Sequence, residues 1–528
     1  MPGLPLPTAR AVRRTRHANM AAALACAILL RAPEANSEAR RHVSELVLSD
    51  PRLPDDAALL AQIEAAVDFR VRAEFTRQLD AEYPGDLLED AQTPQEALRK
   101  GALGLDALFA VGDDLFEYAF RPGQGLGNDL AGFDLAGHGP MPNMRRVHAG
   151  DFGGPDAFSC AGCHFKGGPD GSGTNTQNAF FRGDGDSTKS ADERNPPHVL
   201  GLGPVAALAR EMTAELQATR DDALADARER REPVRRRLRT KGVAFGHITA
   251  LPDGMADVSE VEGVDPDLVV RPFGWKGHQA SLRGIVEESF RVHMGLVSAN
   301  IQERVRDGLL SPDLYGDGEW SDIDKDGTII EIDDGMVTTM VVYLAQLQVP
   351  LVQPPQAPLL LDAFAQGRGL FERVGCASCH RPVMVLEDPL LVTRPDQPRF
   401  MDDEPVVVDV ARDGVHPKPA ARTLLEEAFE VELFSDLKRH DMGPALRTPT
   451  IQRGVPPTVF LTRSLWGLAE TAPYLHDGRA PTVHDAIVLH GGEARDARDA
   501  YRELTSEEQG ALRVFLLALS RQPELFVP

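Results

Sequence analysis

The sequence predicts a mainly α-helical chain of several domains, and three observations carry that expectation. Apolar residues recur at helical spacing, as at Leu59, Leu60, Ile63 and Ala66. Aromatic residues make up only 6% of the chain, below what a rich all-β core needs. A short segment, Gly112-Asp-Asp-Leu-Phe116, reads as a helix end and returns as Gly367-Arg-Gly-Leu-Phe371, each copy ahead of a cysteine loop. At 528 residues, with about 150 residues per domain, the chain has room for two to four domains. The net charge of −24 argues against a nucleic-acid binder, which needs a basic face, and suits a protein that meets cationic partners.

The N-terminus reads as an export signal, so the mature body is expected in the periplasm or otherwise outside the cytoplasm. Arg10, Arg13, Arg14 and Arg16 precede Met20-Ala-Ala-Ala-Leu-Ala-Cys-Ala-Ile-Leu-Leu30, an apolar run too short to span a bilayer. A basic leader on a cytoplasmic protein is the alternative. Cys26 invites a lipid anchor, but Ala23-Leu24-Ala25 is a poor lipobox and the run continues past it. After this leader (1–40), residues 41–110 read as helices, with Pro94 at a helix start. Residues 111–352 form a first domain with insertions. It is loop-rich to about 205, then carries a highly charged helix over 206–240 ending at Arg235-Arg236-Arg237. A small hairpin insertion follows over 243–258, turning at Pro252-Asp253-Gly254. Residues 281–294 read as a helix. The proline-rich segment ending at 353–358 is the linker, and 359–528 form a second, mostly helical domain with long loops. No later stretch is long and apolar enough to span a membrane.

Four of the five cysteines form two Cys-x-x-Cys pairs, each followed at once by histidine: Cys160-Ala-Gly-Cys163-His164 and Cys376-Ala-Ser-Cys379-His380. Two thiols at this spacing meet the two vinyl groups of one haem, and the next histidine falls under the iron. The chain is therefore expected to carry two covalent c-type haems. A zinc knuckle needs four ligands from neighbouring pairs, whereas these pairs lie far apart; a redox dithiol is the other alternative.

Asp322-Ile-Asp-Lys-Asp-Gly-Thr-Ile-Ile-Glu-Ile-Asp333 follows the calcium-loop spacing of an EF-hand. Asp322, Asp324, Asp326 and Asp333 would hold Ca²⁺ with Gly327 at the turn; an acidic surface loop is the alternative. The 281–294 helix places Leu282, Ile285, Ser289 and His293 on one face. His293, with Glu287, Glu288 and His278 nearby in sequence, offers the base and acid that peroxide cleavage needs. Equally, His293 reads as the end of a packed helix before Gly295. Trp275 and Trp466 read either as core or as aids to electron passage.

The C-terminal half resembles the bacterial di-haem cytochrome c peroxidase superfamily, in its di-haem oxidoreductase, thiol-oxidoreductase-like branch. The resemblance rests on Arg439-His-Asp-Met-Gly443, Leu465-Trp-Gly-Leu468, Ala472-Pro-Tyr-Leu-His-Asp-Gly-Arg-Ala480 and Ala486-Ile-Val-Leu-His-Gly-Gly-Glu493. In the first half it rests on Asp267-Leu-Val-Val-Arg-Pro-Phe-Gly-Trp-Lys-Gly277 and His293-Met-Gly295. It covers roughly residues 105 to 525 and implies two cytochrome-c-like haem domains facing a shared interface. Where the peroxidases bring a methionine to the second haem, this sequence has His490, which would make that haem bis-histidine and lower its potential. Met442 is the rival ligand, and a histidine at a helix C-cap the plainer reading of His490. By analogy the first haem is catalytic, and His293 would stand over it as distal ligand or proton shuttle. The sequence thus points to an exported di-haem peroxidase-like oxidoreductase with a small electron-donor protein or redox carrier as partner and peroxide or another small oxidant as substrate. A pure electron carrier, and a haem enzyme oxidising an organic or protein substrate, are the other classes.

Overall fold

The computed structural model describes residues 95, 98, 101, 103–121, 124–127, 145–149, 152–154, 156–184, 187–307, 331–422 and 428–521. The leader with Cys26 and most of the 41–110 region lie outside the described residues. So do Asp322, Asp324 and Asp326. The chain divides into Met1–Leu87 and Leu88–Pro528, and everything below concerns the second unit.

The expectation of a mainly α fold does not hold. Among the described residues, sixteen strands in six small sheets stand beside the helices. Helix α1 (Leu105–Glu117) is followed by strands β1 (Arg145–Ala149), β2 (Phe152–Gly154), β3 (Ala179–Gly183) and β4 (Asp192–Arg194), in the sheet order β2-β1-β3-β4. The long helix α2 (Leu202–Arg230) stops well short of residue 240, because Pro233 has no N–H to continue it. The arginines expected at its end lie instead on β5 (Val234–Thr240), which pairs with β6 (Val243–Ala250), which pairs in turn with β7 (Ala256–Asp257). On β5 the buried Val234, Leu238 and Thr240 share one face, while Arg235, Arg237 and Arg239 are exposed on the other. Strands this short and this polar lack the run of alternating apolar residues by which a strand is read from sequence.

Helices α3 (Leu282–Ser289), α4 (Ala299–Arg306) and α5 (Asp334–Gln346) complete the first half. Beyond β8 (Leu351–Val352) come α6 (Pro358–Arg373), a run of short strands, and α7 (Val483–Leu489), α8 (Arg495–Glu503) and α9 (Ser506–Leu517). The last strand, Leu519–Ser520, pairs antiparallel with β8, tying the chain before the proline-rich segment to its C-terminus.

The repeated Gly-x-x-Leu-Phe segment marks one helix crossing built twice. Helix α1 passes α5 at Gly112, where an added Cβ would lie 2.5 Å from Cβ of Tyr343. Helix α6 passes α9 at Gly367, where a Cβ would lie 2.1 Å from the carbonyl oxygen of Ala511 and 2.8 Å from Cβ of Phe515. One turn on, Phe116 lies 5.5 Å from the Tyr343 ring and Phe371 lies 5.3 Å from that of Phe515. Each glycine lets two helices approach more closely than any side chain permits, and the aromatic pair seals the contact. Two separate hydrophobic clusters result, and each packs against one motif: Cys160 against the larger, Cys376 against the smaller. Among the described residues no helix is long and apolar enough to cross a membrane.

Candidate haem sites

At the second motif, Gly375 turns the chain out of α6 in a left-handed conformation (φ 95°) and starts a tight turn over Cys376–Ser378. His380 follows, with Nδ1 3.1 Å from the carbonyl oxygen of Phe434. That ring N–H donates to the carbonyl, which orients the imidazole and leaves Nε2 free to bind a metal. His490, at the C-cap of α7, is held alike: Nδ1 lies 2.8 Å from the carbonyl oxygen of Ala486. The two rings lie with centroids 6.5 Å apart, tilted by 54°. Two metal–imidazole bonds of about 2 Å, plus about 1.2 Å from each nitrogen to its ring centre, span about 6.4 Å. The gap therefore matches one metal ion held between both histidines. Burial pushes His380 down to about 4 and lowers His490 as well, so both are neutral, as ligation requires. With two thiols one turn before His380, this donor set fits a c-type haem with two axial histidines. The backbone of Met442 packs beside Gly491, but the imidazole of His490 faces His380.

Sequence reasoning missed a charged partner here. His440 lies between Asp436 (Nε2 to Oδ2, 2.9 Å) and Glu493 (Nδ1 to Oε2, 2.7 Å). Burial alone would lower it, but hydrogen bonds to Asp436 and to the Cys379 sulfur prevail and raise it. Asp436 sits four residues ahead on an irregular segment, so no periodicity announces the pair.

The first motif is anchored directly to its crossing helix: the Ala161 N–H donates to the carbonyl oxygen of Phe116 at 3.0 Å. Phe116 lies 6.1 Å from the His164 ring. Nδ1 of His164 is 3.3 Å from the carbonyl oxygen of Gly171, and the backbone of Pro197 also hydrogen-bonds to the ring. Burial pushes His164 down to about 4 and the Cys160 thiol up to about 12. The thiol pair and neutral imidazole fit a second c-type haem. Among the described residues, however, no imidazole faces His164 as His490 faces His380.

His293 lies close enough for its charge to act on His164. It sits in a π-helical turn, Phe290–Met294, that follows α3 and shifts the register of the face read from sequence. Its Nδ1 is 2.9 Å from Oδ2 of Asp156, whose Oδ1 is 3.1 Å from Nε2 of His148. Glu287 is not brought to His293. Instead, Asn300 donates to both of its carboxylate oxygens at 2.9 and 3.1 Å. Burial raises Glu287 to about 7. Glu288 and His278 pair with each other at 3.2 Å.

A small cavity is lined by His198, Leu200, Pro272, Leu433 and Arg463. Leu433 adjoins Phe434, which holds His380; burial pushes His198 down to about 3, helped by Arg463, Arg521 and His164. Trp466 is buried beside it, its indole N–H donating to the carbonyl oxygen of Glu432 at 2.7 Å. The Trp275 indole donates to the carbonyl oxygen of Asn195 at 2.9 Å and lies under Arg463. Of the calcium residues only Asp333 is described; its carboxylate caps α5 by accepting from the Gly335 N–H at 2.7 Å, and also accepts from the Gln95 N–H at 2.9 Å.

Residues 411–519 match the family model described as "Di-haem oxidoreductase, putative peroxidase". The matched segment holds His440, Trp466 and His490 and begins after the second cysteine pair. Among solved structures, the chain is similar to a MauG-like protein associated with microbial copper homeostasis, at 15% identity and a TM-score of 0.26, covering 51% of this chain and 77% of that one. It is also similar to Kuenenia stuttgartiensis hydrazine synthase, at 19% identity and a TM-score of 0.20, covering 35% of this chain. The chain spans about half, 55%, of that hydrazine synthase chain. No curated protein sequence matches this chain.

Proposed function

We propose that this chain is an exported di-haem c-type oxidoreductase of peroxidase type. Cys376, Cys379, His380 and His490 hold the electron-entry haem, and Cys160, Cys163 and His164 hold the haem at which the oxidant is reduced. The observation that carries the reading is the asymmetry between the sites: the His490 ring lies 6.5 Å from that of His380, and among the described residues no imidazole ring is in such contact with His164. A site closed on both faces passes electrons, whereas an open one binds a small ligand.

Haem held by these residues would supply the redox chemistry, with electron entry at one site and reduction of peroxide at the other. The residues supply the rest. His293 takes a proton from one peroxide oxygen and returns it to the other, the general acid–base work that O–O cleavage needs. Hydrogen peroxide gains two electrons and two protons and leaves as two waters; the electrons come from a small donor protein or redox carrier. Trp466 and the residues lining the cavity fill the route between the sites. Asp322, Asp324, Asp326 and Asp333 bind Ca²⁺ ahead of α5, with Asp333 contributing the carboxylate oxygen that its cap leaves free.

Peroxide turnover with a reduced small cytochrome as donor tests this reading. The purified protein should consume peroxide, and His293→Gln should slow it by about 10²-fold or more while leaving the second haem's spectrum unchanged. Two low-spin haems inert to peroxide, even after partial reduction, would make the chain an electron carrier.

A further inference from the structure

Asp156 is almost fully enclosed, with 3% of its side chain exposed, and His148 is enclosed completely. A buried carboxylate is costly unless both oxygens find partners. Here one oxygen binds Nε2 of His148 at 3.1 Å and the other binds Nδ1 of His293 at 2.9 Å. The backbone adds to the clamp: the Asp156 N–H donates to the carbonyl oxygen of His293 at 2.7 Å. Phe181 stands beside both imidazoles, 6.5 Å from His148 and 6.3 Å from His293, and limits their rotation. Of the three side chains only His293 reaches the surface, at 39% exposure. Asp156 lies four residues before Cys160, so the array borders the first motif.

We infer that Asp156, clamped by His148, is the positioning residue of the first site: it holds His293 by Nδ1 and so presents Nε2 as the proton acceptor for a small protic ligand of that haem, of the hydroperoxide class. This rests on the reading of His293 as the base given above. A carboxylate on Nδ1 fixes the tautomer whose Nε2 is bare, the logic by which a buried aspartate orients a catalytic histidine. Burial alone would raise Asp156, but attraction and hydrogen bonds from His148 and His293 hold it below the usual carboxylate range. The carboxylate therefore stays ionised, and the proton taken up at Nε2 leaves an imidazolium beside a negative charge.

The test uses the holoprotein and two probes that differ in one respect. Hydrogen cyanide must lose a proton to a base as it binds ferric haem; carbon monoxide binds ferrous haem with no proton transfer. Asp156→Asn should slow cyanide association at the first haem by about 10-fold or more, as should His293→Gln. Carbon monoxide association should be unchanged, and the double variant should be no slower than the single ones. An unchanged cyanide rate, an equal loss for carbon monoxide, additive losses in the double variant, or a first haem that binds neither probe would each overturn the assignment. Should Asp156→Asn not fold, His148→Gln, which frees one carboxylate oxygen only, must give the same selective loss. A protein inert to peroxide that still shows the selective cyanide loss would remove the peroxidase reading and keep the positioning role.

Discussion

Replacing His490 by alanine removes one side chain without touching the thioether bonds, and so isolates its role. The second haem should remain attached and change from low to high spin, read by its optical and electron paramagnetic resonance spectra, while the first is unchanged. A second haem that stays low-spin would return the ligand to Met442. Glu287 supports a prediction of another kind. The fold keeps this carboxyl protonated up to about pH 7, while in the unfolded chain it ionises near its ordinary 4.5. Its contribution to stability is complete below about pH 4.5 and is lost as pH rises through about 7, by at most about 3 kcal/mol. Glu287→Gln should remove that fall, seen as a flatter plot of denaturant stability against pH, and leave cyanide binding alone. The thiols and the histidines beside them were legible because haem attachment demands those residue types at that spacing. Asp156 was not, because its partner His293 is 137 positions away and only the fold joins them.

At the scale of elements, the sequence repeat acquires a mechanical meaning. Gly367 and Gly369 lie two residues apart on α6, but only Gly367 faces α9; around Gly369 a Cβ would meet nothing within 4 Å. Gly367→Ala should cost about 1–3 kcal/mol by forcing the helices apart. Gly369→Ala should be neutral or stabilise by up to about 1 kcal/mol, through helix propensity alone. Thermal melts of the two variants check the contrast, and equal effects would refute the crossing. The helices around the motifs were readable because their buried faces repeat at helical spacing. The sheets were not, because strands such as β5 are short and rich in arginine, and their pairing is set by tertiary contact. The π turn after α3 was equally hidden, since one extra residue in a turn leaves no trace in composition.

For the whole molecule the account makes a claim about division of labour. Two lobes use the same helix crossing to present the same Cys-x-x-Cys-His loop, yet differ on the far side of the histidine. One places His490 there; the other places the Asp156–His293 array nearby. The resemblance to the di-haem peroxidases supplied the expectation of two unlike haems, and residues 411–519 match a di-haem oxidoreductase family model. The most direct test is to reduce the protein by one electron per chain, add one equivalent of peroxide, and follow both haems by electron paramagnetic resonance and optical spectroscopy. The account predicts two haems per chain: a low-spin, bis-histidine signal at the second site that peroxide does not displace, and a reaction confined to the first, abolished or strongly slowed in His293→Gln. Peroxide reacting at the haem of His380, or two low-spin haems of which neither reacts, would contradict it.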